Sequence, residues 1–167
     1  MKRRMKVAGL TIDPFSNSPI MVLKDEATDE SLPIWIGILE ATAIASELED
    51  IKFSRPMTHD LLKNILESAG AKIGKVEVID LKDNTFYALI HLTLGDKTQA
   101  IDARPSDAIA LALRFGAPIF VEEKVIELSK SSTEAQTGRP EVESKEGKKW
   151  ADILENLKPE DFGKFKM

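Results

Sequence analysis

Two short segments concentrate the side chains able to do polar chemistry: Arg55-Pro-Met-Thr-His-Asp60 and Arg104-Pro-Ser-Asp107. Each reads as a helix start. Proline is preset for a first helical turn, Thr58, Ser106 or a neighbouring aspartate can cap, and the first amide N–H groups have no partner inside the helix. An arginine beside free amides suits a phosphate, through bidentate hydrogen bonding and the positive end of the helix dipole. As structure alone the same features are ordinary, because Asp60 and Asp107 near helix starts complement the dipole without any ligand. The pairing points further: two such starts can hold adjacent phosphates, with Arg55, Thr58, Arg104 and Ser106 as the phosphate-binding set.

Carboxylates accompany both segments. Glu40, Asp60, Asp102 and Asp107 each fall close to an expected strand end or helix start, and carboxylates with open water positions are the usual holders of Mg²⁺ or Mn²⁺ in phosphodiester hydrolysis. Any single one of the 28 acidic residues reads equally as solvated surface or a cap. The densest stretch is Asp102-Ala-Arg-Pro-Ser-Asp107, between a strand and a buried helix. Of the two histidines, His59 sits in the first turn of its helix, as a general base, a metal ligand or an exposed polar residue. His91 shares a strand face with Tyr87 and Leu89 and reads as a half-buried structural residue. Two histidines exclude any site of three imidazoles. Trp35, among aliphatic neighbours, reads as core or subunit interface. No glycine-rich phosphate loop, nucleophile elbow or HExxH motif occurs.

The elements that must position these residues follow from periodicity and breakers. Lys6–Asp13 and Pro19–Lys24 are β-type runs around the turn formers Pro14 to Ser18, a hairpin, and Leu32–Gly37 is a third strand leading into a helix over Ile38–Asp50. Leu61, Leu62, Ile65 and Leu66 have helical spacing, closed by Gly70 as the left-handed C′ residue. Ile73–Leu81 and Phe86–Leu94 alternate around Lys82 to Thr85, a second hairpin that Lys97–Asp102 extends. Ala108–Phe115 is apolar on most sides and predicts a buried helix stopped by Gly116-Ala-Pro118. Ile119–Val121 is a last strand, followed by a half-polar turn of helix to about Lys130. The fold class is α+β: a mixed, largely antiparallel sheet of six or seven strands packed with three main helices.

Residues 1–130 are expected to form one domain. From 131 to 148 apolar residues disappear and Ser, Thr, Glu, Gly, Pro and Lys gather, which reads as a flexible linker. Residues 149–167 hold a short amphipathic helix, Trp150–Leu157, and a tail. The chain has 167 residues, no cysteine and a formal charge of −5. Zero cysteines exclude disulfides, thiolate nucleophiles, zinc fingers and iron–sulfur clusters, and fit a reducing cytoplasm. No apolar run approaches the roughly 20 residues of a membrane span. The acidic balance argues against coating nucleic acid by bulk charge but permits a local basic site.

Leu32-Pro-Ile-Trp-Ile-Gly37 followed by Glu40-Ala41, then Arg55-Pro-Met-Thr-His-Asp-Leu61, then Asp102-Ala-Arg-Pro-Ser-Asp-Ala-Ile-Ala-Leu-Ala112 together resemble the bifunctional nuclease domain family. The likeness covers about Lys6 to Lys130 and excludes the tail. It implies a metal-assisted phosphodiesterase acting on DNA and RNA. On that reading Arg55 and Arg104 take the scissile and neighbouring phosphates, Asp60, Asp102 and Asp107 hold Mg²⁺ or Mn²⁺, and Glu40 or His59 activates the attacking water. A homodimer is the expected assembly. The competing class is a non-catalytic dimeric module that binds a phosphorylated ligand, nucleotide or protein partner through the same arginines, favoured by the acidic net charge and by the lack of an aromatic-basic surface in the sequence.

Overall fold

A computed structural model describes residues 1–134 and Asn156, with Thr133 and Glu134 seen as helical backbone. The rest of the expected linker and of the Trp150–Leu157 helix lies outside the described residues. Seven strands form one sheet: β1 (Lys2–Ile12), β2 (Pro19–Asp25), β3 (Ser31–Trp35), β4 (Ala71–Lys82), β5 (Thr85–Leu94), β6 (Lys97–Ala103) and β7 (Ile119–Glu122). The helices are α1 (Ile38–Leu48), α2 (Thr58–Ser68), α3 (Pro105–Phe115) and α4 (Glu123–Glu134). Strand order is β3-β2-β1-β7-β4-β5-β6. β7 runs antiparallel to β1 and parallel to β4, and every other pairing is antiparallel. The sheet is therefore two three-stranded meanders joined through β7, and each meander hands its last strand to a helix, β3 to α1 and β6 to α3.

Both expected hairpins form. The turn between β4 and β5 is two residues, Asp83 and Asn84, with φ of 49° and 58°. Two consecutive positive φ values match the right-handed twist of the flanking strands, and Asp and Asn tolerate them better than other side chains. Val76 and Val78 of β4 and Ala88 and Ile90 of β5 are buried in the same core as Met21 and Leu23 of β2. Across that core lies α3, whose Ala108 to Ala112 are all buried, as its uninterrupted apolar sequence predicts. It packs on α1, α2, β4 and β5. Gly116, at φ 63°, ends it in the left-handed conformation that glycine reaches without steric cost.

The structure differs from the sequence reading at three boundaries. The basic N-terminus is already strand: Lys2 to Met5 pair with β7. The last helix is twelve residues long and reaches Glu134, because Val125 and Ile126 bury into the core and Arg3 binds Glu123 at its start. Pro56 lies outside α2, which begins at Thr58 with Met57 as its N-cap, and neither Thr58 nor Ser106 caps a helix. Only Arg104-Pro105 has the expected arrangement, arginine at the N-cap and proline in the first turn.

Candidate functional site

Three helices begin with an acid at the same place. Counting from the first helical residue, Glu40 of α1, Asp60 of α2 and Asp107 of α3 are each third, where a negative side chain meets unpaired N–H groups and the positive dipole end. The α1, α2 and α3 starts are linked by side chains. Arg104, the N-cap of α3, donates Nε to Asp107 Oδ2 at 2.8 Å and Nη1 to Glu40 Oε1 at 2.7 Å. His59 Nε2 lies 3.0 Å from Asp107 Oδ1. The chain Glu40–Arg104–Asp107–His59 thus spans three elements that the sequence holds up to 67 positions apart (40 to 107). With Nε2–H assigned as the donor to Asp107, His59 Nδ1 keeps the lone pair.

Burial pushes the Asp107 carboxyl up, but hydrogen bonds from Arg104 and His59 and their charges outweigh it and hold the group below the usual carboxylate range. Asp107 therefore stays ionised and orients the imidazole. Arg104 has 65% of its side chain exposed, so its charge is presented to solvent although two of its donors are engaged. Gly37, the N-cap of α1, leaves room for this group: a Cβ there would stand 2.2 Å from Glu40 Oε2.

Asp60 belongs to a second cluster. Its Oδ2 accepts the Met57 N–H at 2.9 Å and its Oδ1 accepts Nε of Arg114 at 2.7 Å. Burial raises this carboxyl, and the Met57 and Arg114 bonds together bring it below its ordinary value. Arg114 is buried and donates also to the carbonyls of Ala43 and Ala110 and to Ser46 Oγ, which fixes α1, α2 and α3 to one another. The sequence reading missed Arg114. Its signal was a lone cation in the last turn of an otherwise apolar helix, which must find partners when buried.

Beside this anchor, between the α1 end and α2, opens a cleft of about 380 Å³ lined by Arg55, Lys52, Phe53, Lys63, Glu47 and Asp60 among others. Arg55 lies here, exposed, and has no hydrogen-bond or ion-pair partner among the described residues. Of the remaining expected site residues, Thr58 is exposed at the first position of α2 and Ser106 is buried in α3. Asp102 is exposed on β6 opposite Leu89, with no ion pair among the described residues. Among the described residues no three His, Asp or Glu side chains gather as a group able to hold a metal ion. Glu40 and Asp107 share one neighbour, and it is the Arg104 guanidinium.

The bifunctional nuclease domain matches residues 21–134, from β2 through α4. An uncharacterised protein of Mycobacterium tuberculosis strain H37Rv is 37% identical over 164 residues, 95% of this chain and 96% of the relative. Bifunctional nuclease 2 of Arabidopsis thaliana is 26% identical over 110 residues, 64% of this chain and 33% of that protein. Bifunctional nuclease 2 of Oryza sativa subsp. japonica is 28% identical over 121 residues, covering 70% and 37% respectively. The shared region is about a third of these plant proteins.

Proposed function

Because the chain belongs to the bifunctional nuclease domain family, we propose that it hydrolyses phosphodiester bonds of DNA or RNA at the meeting point of its three helix starts, in the reducing cytoplasm that a cysteine-free sequence suits. The observation that carries the proposal is the chain Glu40–Arg104–Asp107–His59. His59 Nδ1, its ring oriented by Asp107 through Nε2, takes the proton of the attacking water. Arg104 binds the non-bridging oxygens of the scissile phosphate and balances the charge that grows there. Arg55 takes the neighbouring phosphate at the cleft. Glu40 keeps Arg104 aimed.

A divalent ion would need a place other than the expected one, because Asp60, Asp102 and Asp107 do not gather among the described residues. Asp60 is held by Arg114 and the Met57 amide, while Glu40 and Asp107 are hard oxygen donors that flank the Arg104 guanidinium; with Arg104 swung out onto the phosphate, these two carboxylates and waters are what Mg²⁺ takes. Those two residues would hold Mg²⁺ or Mn²⁺, which when bound polarises the phosphate and lowers the pKa of a bound water.

The test uses the full chain with labelled single- and double-stranded DNA and RNA, with Mg²⁺, with Mn²⁺ and with EDTA. Cleavage that EDTA stops and that Asp107→Asn lowers by about 100-fold or more is the expected result. Binding without cleavage of any substrate would make the protein the non-catalytic module instead. No helix among the described residues is long and apolar enough to cross a membrane.

A further inference from the structure

The sequence offers no basic surface with an aromatic side chain set in it, but the fold builds one. Lys52, Phe53 and Arg55 lie in the irregular connection between α1 and α2, and Lys63 comes from the next turn of α2; all four line the cleft beside the Asp60–Arg114 anchor. Phe53 is 41% exposed although it is a large apolar residue in a short loop. Among the described residues Arg55 has no partner, Lys52 pairs with the exposed Asp50, and Lys63 reaches Glu67 at 3.7 Å. On the anionic side, Asp60 is neutralised by Arg114, and Glu47 stands 3.9 Å from the same guanidinium. The cleft lining holds four cations, Lys52, Arg55, Lys63 and Arg114, against two acids, Glu47 and Asp60, so it is net cationic on a chain of net charge −5, and its volume lies within the range of small-molecule sites. Its lining residue Asp60 follows His59 directly in α2, so the cleft and the proposed site share the first turn of that helix.

We infer that this cleft is a subsite for one nucleotide of a single-stranded nucleic acid flanking the scissile phosphate, with the base stacked on Phe53 and its phosphate held by Arg55 and Lys52. The inference rests on the nuclease reading for the identity of the polymer. Aromatic faces set among cations bind bases by stacking and backbone by charge, with little sequence preference. A base paired and stacked within a duplex has no free face to offer Phe53, so the subsite selects unpaired strands.

The experiment measures binding of a short labelled oligothymidylate, an abasic strand of equal length and the matching duplex to the full chain in EDTA, which stops metal-assisted cleavage. Phe53→Ala should weaken binding of the base-bearing strand about tenfold and leave the abasic strand within about twofold. Arg55→Gln should weaken both single strands and reduce the slope of log affinity against log salt by about one. Both residues are exposed, so the melting temperature serves as the folding control. Equal binding by wild type, Phe53→Ala and Arg55→Gln, equal loss on the abasic strand for Phe53→Ala, or equal affinity for the duplex would overturn the subsite. Failure of the nuclease reading looks different: wild type then binds oligothymidylate and cuts nothing with Mg²⁺ or Mn²⁺.

Discussion

Arg104 makes two directed bonds at once, to Glu40 and to Asp107, and that double engagement is what a lysine cannot copy. A guanidinium offers separate N–H vectors in a fixed plane, while an ammonium is a point charge on a flexible stem. Arg104→Lys should therefore lower kcat/KM by about 100-fold, the range of a lost transition-state charge contact. Stability should change by less than about 0.5 kcal/mol, because a mostly exposed ion pair contributes little to folding. Steady-state cleavage and thermal melting on one preparation check both; a melting point that falls along with activity would make Arg104 a structural residue. Four residues named from the sequence alone, Glu40, His59, Arg104 and Asp107, are the four that the fold connects. They were legible because charged types beside helix breakers are rare and local. Asp60 was equally visible, but its partner Arg114 was not: the sequence shows which end of a helix a residue occupies, and says nothing of which buried neighbour waits across a helix contact. Phe53 was missed for the same reason, since a single aromatic in a loop gains meaning only once Arg55 and Lys63 stand around it.

At the level of elements, α2 is the one at risk. None of its residues is buried, so little apolar area holds it, and its polar ties to α1 and α3 are the His59–Asp107 contact and the Asp60–Arg114 pair with the carbonyls that Arg114 also binds. Arg114→Met should cost about 3 kcal/mol, since removing one partner leaves a carboxylate and carbonyl groups unsatisfied. The loss should concentrate locally: amide hydrogen exchange across residues 50–69 should speed up well before that of β4 or β5. Uniform acceleration over the sheet would contradict α2 as a separately anchored unit. The α1 start offers a gentler probe. Gly37→Ala puts a methyl carbon 2.2 Å from Glu40 Oε2, and the flexible side chain must turn away from Arg104. Cleavage should drop about tenfold with the melting point nearly unchanged. Element types were readable nearly throughout, because the β4–β5 alternation and the apolar run of α3 allow one period each. Their ends were less so: the expectation that proline opens both Arg-Pro helices held only for Pro105, because Pro56 is spent in the turn before α2. The length of α4 escaped because its polar sequence hides Val125 and Ile126, which are buried by tertiary packing.

Considered whole, the molecule is one sheet whose two meanders are stitched at the centre by β7, and the charges across that seam make it sensitive to acid. Glu77 of β4 is buried, and it accepts Lys75 at 2.6 Å, Lys2 of β1 at 2.9 Å and His91 of β5 at 2.6 Å. Burial alone would raise its carboxyl, yet the three donors prevail and pull it from 4.5 down to about 2. Asp13, bound first by the Trp35 indole and then by Phe15 and Ser16, is likewise held at about 2 instead of 3.8. A carboxyl whose folded pKa lies below its unfolded one stabilises the fold fully above the unfolded value and loses that contribution as pH falls toward the folded value. The melting temperature should therefore be flat just above pH 4.5 as far as these two groups decide it, and fall steeply between about pH 4.5 and 2. Glu77→Gln separates the share of the seam. It should lower the melting temperature at neutral pH by roughly 5 °C, about 2 kcal/mol in a chain of this size, because Lys75 and Lys2 lose their counter-charge. It should also flatten the acid slope, since a glutamine has no proton to gain. Parallel melting curves for the two proteins from pH 6 to 2 would mean that the acid response arises elsewhere, and the seam would then be held by its backbone ladder and the Val76, Val78 and Val121 core alone.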